Sequence, residues 1–329
     1  MRFPKEHKAN TVLCDEAFPL LKKEPFRAQY KYNEASSNGS ARGAFMSGIV
    51  SSLAAHIRKE KGVPYEVYGT SAKHMLNLAH QRKYPIASGY LAMLYAGMDE
   101  FVEPDYDKAW HFINDGINNE DPIALYCAMR AYNRGDEMFL RKPPKTDYNK
   151  VIDYGKRCAS HYRQLPAEDS PNMHDREISN VTKAHILNAV AVVAGTLYGE
   201  SNHKYNPRDA VAYATFGSNH GSEKCSAILA YIFCDFDRVV PKNLVLAKRY
   251  VQRAIAQGMD ENDANLKLII SNIAQYENEQ HEIDNAKREI LFETKRSQQE
   301  SKQSALDVAG DLYWRGLDWF ERNQDKLKW

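Results

Sequence analysis

The chain has 329 residues, 43% of them hydrophobic, which is enough to build a core and excludes general disorder. Its 44 basic side chains stand against 43 acidic ones, a net charge of +1, so the clustered cationic excess of a nucleic-acid footprint is missing. Five cysteines without a C-x-x-C pair argue against a full disulfide framework and against a zinc site, and no run approaches the ~18 apolar residues of a membrane-spanning helix.

Residues 1–40 are interrupted by Pro4, Pro19 and Pro25 and predict an irregular, extended lead-in with room for one short helix. The first residues lack an apolar leader, so the chain as it stands is expected in the cytoplasm; a mature form with its leader removed would be periplasmic. From Ala41 the pattern becomes helical. Ala44, Phe45, Ile49, Leu53, Ala54 and Ile57 recur at helical spacing, Gly62-Val63-Pro64 breaks the run, and Ala72, Met75, Leu76 and Ala79 form the next apolar face.

A second helix pair follows at 85–121. Ala87, Leu91, Ala92 and Tyr95 make one stripe, Gly97 stops it, and Ala109, Phe112 and Ile113 belong to the partner helix. A third pair at 122–160 keeps the phase, Pro122 following Pro85 as Tyr132 follows Tyr95, with Ala124 and Ala128 on its first stripe and Val151 and Tyr154 on its second. The pattern lapses near 163–183, where Pro166, Asp169, Ser170, Pro171 and Asn172 predict an exposed insertion. It resumes at 184–222 with a helix rich in small residues, Ala189, Ala191, Ala194 and Gly195 among them.

The fifth pair, at 223–259, repeats the second without a gap. Leu91, Ala92, Val102, Asp105, Ala109 and Phe112 align with Leu229, Ala230, Val240, Asn243, Ala247 and Tyr250 at one constant offset of 138 positions (229 − 91 = 250 − 112). Residues 261–329 should form C-terminal helices. The stretch 277–304 is strongly polar, and Leu306, Ala309, Leu312, Tyr313, Leu317 and Phe320 form an amphipathic face, expected to cap the last repeat or, in its alternative, to bind a partner or a second copy.

Internal repetition of helix pairs predicts an all-α fold, a right-handed α-solenoid of about five repeats across 41–260. No catalytic signature is found: there is no Gly-x-Ser-x-Gly, no phosphate-binding glycine loop and no His-Glu-x-x-His. The histidines and carboxylates lack metal-ligand spacing, so neither a metal nor a cofactor is expected, and the chain is not expected to be an enzyme. Cys225 and Cys234 leave a single disulfide open. Non-core positions on the first helices are the candidates for partner contact: Tyr90, Met93, Tyr126, Arg130, Asn133 and Tyr231, with Tyr and Arg frequent among binding hot spots.

The recurring order, Ala-x-x-x-Leu-Ala-x-x-Tyr, Gly, Val, an Asp-containing turn and then Lys-Ala-x-x-Phe at 87–112, resembles the Sel-one-like repeat, a relative of the tetratricopeptide repeat. Ala92 and Ala230 stand where that repeat favours Gly, Asp235 replaces the glycine represented by Gly97, and the full Gly-x-Gly-Val turn is missing, which marks the chain as divergent. The resemblance implies a protein-binding module. Within it, one branch resembles immunity proteins that block toxic effectors, notably secreted phospholipases of type VI secretion systems. The alternative it implies is a cytoplasmic scaffold joining signalling or envelope proteins.

Overall fold

The computed structural model describes residues 3–97, 102–133, 144–167, 169–199, 204–235 and 240–300, without the side chains of 292–300, and no strand occurs among them. The chain forms two compact units, Met1–Cys225 and Ser226–Trp329. Two helices, α1 (Lys8–Ala17) and α2 (Pro25–Ser37), precede the repeats. Four helix pairs follow: α3 (Ala41–Glu60) with α4 (Glu66–Gln81), α5 (Ala87–Tyr95) with α6 (Tyr106–Asn118), α7 (Pro122–Tyr132) with α8 (Tyr148–Ser160), and α9 (Met173–Tyr198) with α10 (Pro207–Asn219). A fifth pair is α11 (Glu223–Cys234) and α12 (Leu244–Ala256), and α13 runs Ala264–Glu300.

The same local chemistry closes each pair. The second helices of the last four pairs start on Asp105, Asp147, Asn206 and Asn243, whose side chains accept from backbone N–H groups of the first turn. The backbone N–H of each cap also donates back to the end of its first helix: Asp105 to the Tyr95 carbonyl at 2.9 Å, Asp147 to Tyr132 at 3.3 Å, Asn206 to Leu197 at 2.7 Å and Asn243 to Phe233 at 2.8 Å. Aromatic pairs fill the gap beneath. Tyr95 stacks on Phe112 with centroids 5.7 Å apart and planes at 12°, and Phe233 on Tyr250 at 5.8 Å and 6°. Phe112 and Tyr250 are aligned by the sequence offset and Tyr95 and Phe233 stand at the same spacing of 138 (233 − 95), so the repeat seen in residue types is a repeat of geometry.

The turns between pairs are also shared. The residue three past the helix end donates to a carbonyl five residues back, as Tyr84 does to Ala79, Asp121 to Gly116, Ser222 to Gly217 and Met259 to Ala254. The residue before it must then take a left-handed backbone. Gly221 and Gly258 do so freely, whereas Lys83 and Glu120 do so at φ 60° and 54° with a side chain attached. Close helix approach depends on small residues. Ala109 and Ala247 are fully buried, and a Cβ placed on Gly116 would sit 2.2 Å from that of Ala124.

The core of the first unit runs from Cys14 and Tyr32 through Phe45, Leu76, Leu91 and Ile113 to Cys127. In the second unit Ala230, Ala247, Val251 and Ala254 pack with Leu266, Ile269 and Ile273 of α13. All five cysteines are buried and free, so Cys225 and Cys234 form no disulfide.

Two expectations need correction. Residues 1–40 are not an irregular lead-in: α1 and α2 occupy most of them, because Ala28, Tyr32 and Ala35 supply a helical stripe that is buried in the core. The expected insertion at 163–183 is mostly helix, for α9 begins at Met173 and, among the described residues, 165–167 and 169–172 remain outside helical structure. The two compact units divide at 225/226, inside α11. The expected capping helix at 306–320 lies outside the described residues.

Candidate functional site

The early start of α9 decides which helix faces stay open. Its first three turns lie across the first helices of the preceding pairs, and polar residues anchor them. Glu177, fully buried, accepts from Arg42 Nε of α3 at 2.6 Å through Oε2, and from the Tyr32 hydroxyl of α2 at 2.6 Å through Oε1. Arg42, 2% exposed, also pairs with Asp15 at 2.8 Å, and its backbone N–H donates to Glu6. Burial pushes the Glu177 carboxyl above the usual carboxylate range, and Arg42 and Tyr32 pull against that shift. The short charge-assisted contact identifies an ion pair.

Aromatic rings continue the contact along the helix. His174 Nε2 lies 3.0 Å from the Tyr84 hydroxyl, and its ring is edge-on to Phe3. Phe45 stacks on Tyr84 and meets Tyr90 edge-on. Three turns further on, the His185 ring lies 5.9 Å from Tyr90 and 5.2 Å from Tyr126. Burial, reinforced by nearby Arg42 for one and Arg130 for the other, lowers both histidines to about 4, so each is neutral near pH 7. His174, Glu177, Ile178, Val181, Thr182 and His185 therefore form the inward stripe of α9.

This arrangement engages several residues expected to face a partner. Tyr90 is half-buried and donates its hydroxyl to the Val181 carbonyl at 2.6 Å, and Tyr126 is buried beside His185. The Arg130 guanidinium lies 5.7 Å over the Tyr126 ring. Met93 packs against the core, and Asn133 caps α7, its N–H donating to the Arg130 carbonyl. Tyr231, in the second unit, is exposed. Tyr90 and Tyr126 thus come together, but around α9 rather than on an open face. An intramolecular helix already fills the space their rings would offer.

The opposite side of α9 is open. Two clefts of about 430 and 450 Å³ meet there, sharing Ser179, Lys183 and His220. One lobe is lined by Tyr162, Leu165, Pro166 and Ala167, an apolar wall from the connection between α8 and α9. The other is polar, with Asn180 and Asn188 of α9 facing Ser222, Glu223 and Lys224 at the start of α11. Asn180, Lys183, Ala184, Leu187 and Asn188 follow helical spacing, so one face of α9 forms the floor.

The cleft walls are fixed by hydrogen bonds and ring contacts. His220 is held between Tyr162 and Phe216, centroids 4.6 and 4.4 Å away, and its Nδ1 lies 2.7 Å from the Phe216 carbonyl. That contact makes Nδ1 the donor and leaves Nε2 as the other ring nitrogen of the bound tautomer. Lys224 Nζ donates to Asn188 Oδ1 at 3.0 Å. The serines are committed to backbone partners: Ser179 donates to the Pro166 carbonyl, and Ser222 accepts from the Cys225 N–H. Among the described residues no group of His, Cys, Asp or Glu could hold a metal ion.

Sequence reasoning singled out none of these cleft residues. The signal was the α9 stripe itself, disguised because its inward positions include His174, Glu177, Thr182 and His185. By length and composition α9 is also apolar enough to cross a membrane, yet here it is a core helix with a buried ion pair.

No protein-family model matches the chain, and no curated protein matches it. Among solved structures it is similar to a Sel1 repeat protein from Oxalobacter formigenes, with 15% identity, a TM-score of 0.53, and coverage of 75% of this chain and 87% of that one. A second is a protective antigen of uropathogenic Escherichia coli displaying an SLR fold, with 16% identity, a TM-score of 0.34, and coverage of 79% of this chain and 56% of that one. The fold is an all-α, Sel1-repeat type of solenoid.

Proposed function

We propose that this chain is a non-enzymatic protein-binding module whose recognition surface is the two-lobed cleft beside α9. A stack of helix pairs offers an extended binding face, and here α9 fills part of that face and leaves a defined opening beside it. The cleft is the observation that carries the reading. Its side chains grip rather than react: both serines are tied to backbone partners, neither bonds to His220, and the apolar and charged ends are separated.

The finer form of the proposal concerns the partner. The resemblance to Sel-one-like immunity proteins supports a secreted toxic effector of phospholipase type, blocked sterically, with the periplasm as the place of encounter. The rival is a cytoplasmic scaffold that joins several signalling or envelope proteins. A pull-down from the source cells with the full chain as bait, followed by mass spectrometry, separates them. One dominant stoichiometric hydrolase, inhibited when the chain is added, supports neutralisation. Several weaker signalling or envelope partners with no toxin among them support the scaffold. Recovery of no protein above a bait-free control sinks the binding-module reading.

A further inference from the structure

We infer that residues 305–329 are a further repeat of the array, and that its first helix docks on the exposed apolar stripe at the far end of α13.

The repeat shows in the register. Laid over 87–111 without a gap, 305–329 keep one offset of 218 positions (305 − 87 = 326 − 108). Ala305, Leu312, Tyr313, Asp325 and Lys326 repeat Ala87, Leu94, Tyr95, Asp107 and Lys108, and Phe320 falls on Val102. Against the fifth pair the offset is 80 (313 − 233 = 323 − 243), which sets Tyr313 on Phe233 and Asn323 on Asn243. The described repeats show what these places do. Ala87 and Leu94 are fully buried. The Tyr95 and Phe233 carbonyls accept from the N–H groups of Asp105 and Asn243, whose side chains cap the second helices. Leu327 follows Asn323 as the buried Val151 follows its cap Asp147 (327 − 323 = 151 − 147), so an apolar side chain larger than Ala109 is already accommodated there. The pattern sets a first helix through Tyr313, a connection over 314–322 and a second helix starting on Asn323.

The approach fixes what the first helix meets. Turns of three residues (38–40 and 119–121) join α2 to α3 and α6 to α7, returning each new first helix along the second helix before it. Residues 301–304 lie between Glu300 of α13 and Ala305, and Ser304 precedes Ala305 as Ser40, the cap of α3, precedes Ala41. α13 thus stands where a second helix would. Its Leu266, Ile269 and Ile273 pack on the fifth pair, and no residue from 274 to 291 is buried. That stretch is mostly polar, yet Ile290 and Leu291 are exposed in it and Ile283 is half-buried. At 1.5 Å per residue Leu291 lies about 27 Å along the helix from Ile273, beyond the part packed on the fifth pair. An antiparallel return across 301–304 brings Leu312 and Tyr313 to within about one turn of Leu291. A single repeat cannot bury its apolar face alone, so the segment and the stripe cover each other.

Hydrogen exchange of the full chain, read by mass spectrometry on overlapping peptides, tests both parts. Slow exchange is expected up to Tyr313 and fast exchange over 314–322. Protection running unbroken from 306 to 320, as a single capping helix would give, or no protection anywhere in 305–329, would overturn the repeat. Leu291→Lys should speed exchange of the 305–313 peptides by about tenfold or more, with α11 and α12 unchanged. Leu268→Lys, at an exposed leucine of the same helix near the fifth pair, should leave those peptides as in the wild type. Tyr313→Ala should loosen 305–313 as Leu291→Lys does while leaving the sequence of α13 intact, which keeps the test decisive if the lysine frays that helix. Exchange in 305–313 that ignores both Leu291→Lys and Tyr313→Ala overturns the docking. So does protection that is lost on dilution, which assigns the contact to a second copy.

Discussion

Glu177 and Arg42 lie 135 positions apart in the sequence and 2.6 Å apart in the fold, both almost wholly removed from solvent. Their contact joins the first turns of α9 to α3, and with Tyr32 and Asp15 it joins four helices at one point. A buried ion pair is weak evidence for net stability, because desolvating both charges offsets much of the attraction. Its value here is positional: no other register of α9 matches Arg42 with a carboxylate, since Glu177 is the one Glu on that helix and Asp175 lies on another side.

Removing one partner should therefore cost far more than removing both. Glu177→Leu and Arg42→Met are each expected to destabilise the chain by about 3–5 kcal/mol, and the double variant by clearly less than their sum. Urea denaturation of the four proteins in the cycle measures the coupling. Additive losses would mean that the pair contributes nothing through mutual contact.

The two histidines on the inward face of α9 make stability depend on pH. Both are lowered from an ordinary 6.5 to about 4, so between those values the unfolded chain binds more protons than the folded one. Their contribution is complete above about 6.5 and is lost as the pH falls towards 4. Asp121 acts in the opposite sense: burial, against the N–H groups of Gly89, Ile123 and Ala124, raises it from 3.8 to about 7. Its folded form holds a proton more readily, so acidification through that window favours folding at this residue. His185→Phe isolates the histidine contribution. At ~1.4 kcal/mol per pKa unit, it should remove on the order of 2–3 kcal/mol of acid sensitivity between about pH 7 and pH 4. Urea midpoints at both pH values provide the check, and an unchanged difference would discount His185.

Equivalent turns should respond with opposite sign when a side chain is removed from one and added to the other. Lys83 holds a left-handed φ of 60° with its side chain exposed, whereas Gly221 holds 94° and a Cβ added there would meet nothing within 4 Å. Lys83→Gly is expected to stabilise by about 0.5–1 kcal/mol through relief of backbone strain, and Gly221→Ala to destabilise by about 1 kcal/mol. Thermal melts of the two single variants decide it; shifts of the same sign would discount the backbone explanation.

Helix pairs were legible because their signals are local. Ala and Leu at helical spacing, Asp or Asn at the caps, and the matched aromatics Tyr95–Phe112 and Phe233–Tyr250 each act within one repeat, and the offset between repeats exposed them. The packing of α9 over the first helices was not legible for the opposite reason. Whether Tyr90 faces solvent or α9 depends on Val181, a residue 91 positions away whose backbone carbonyl accepts from it. The start of α9 was missed because its inward stripe is polar: Glu177 resembles a surface residue until Arg42 is known to lie opposite. Pro166 and Pro171 mark a true break, but the chain resumes as helix two residues after the second proline. The cleft followed that error, since its floor is the far side of the same helix.

The hydrogen bond from each Asp or Asn cap to the end of the preceding helix has a consequence for how each pair is set. The connections 96–105, 133–147, 199–206 and 235–243 differ in length, yet the same clasp shuts each at its base. The clasp ties the two helix ends to each other directly, so connections of unequal length reach the second helix through the same closing geometry. The register of each pair is therefore set by one lock at its base rather than by the number of residues between its helices.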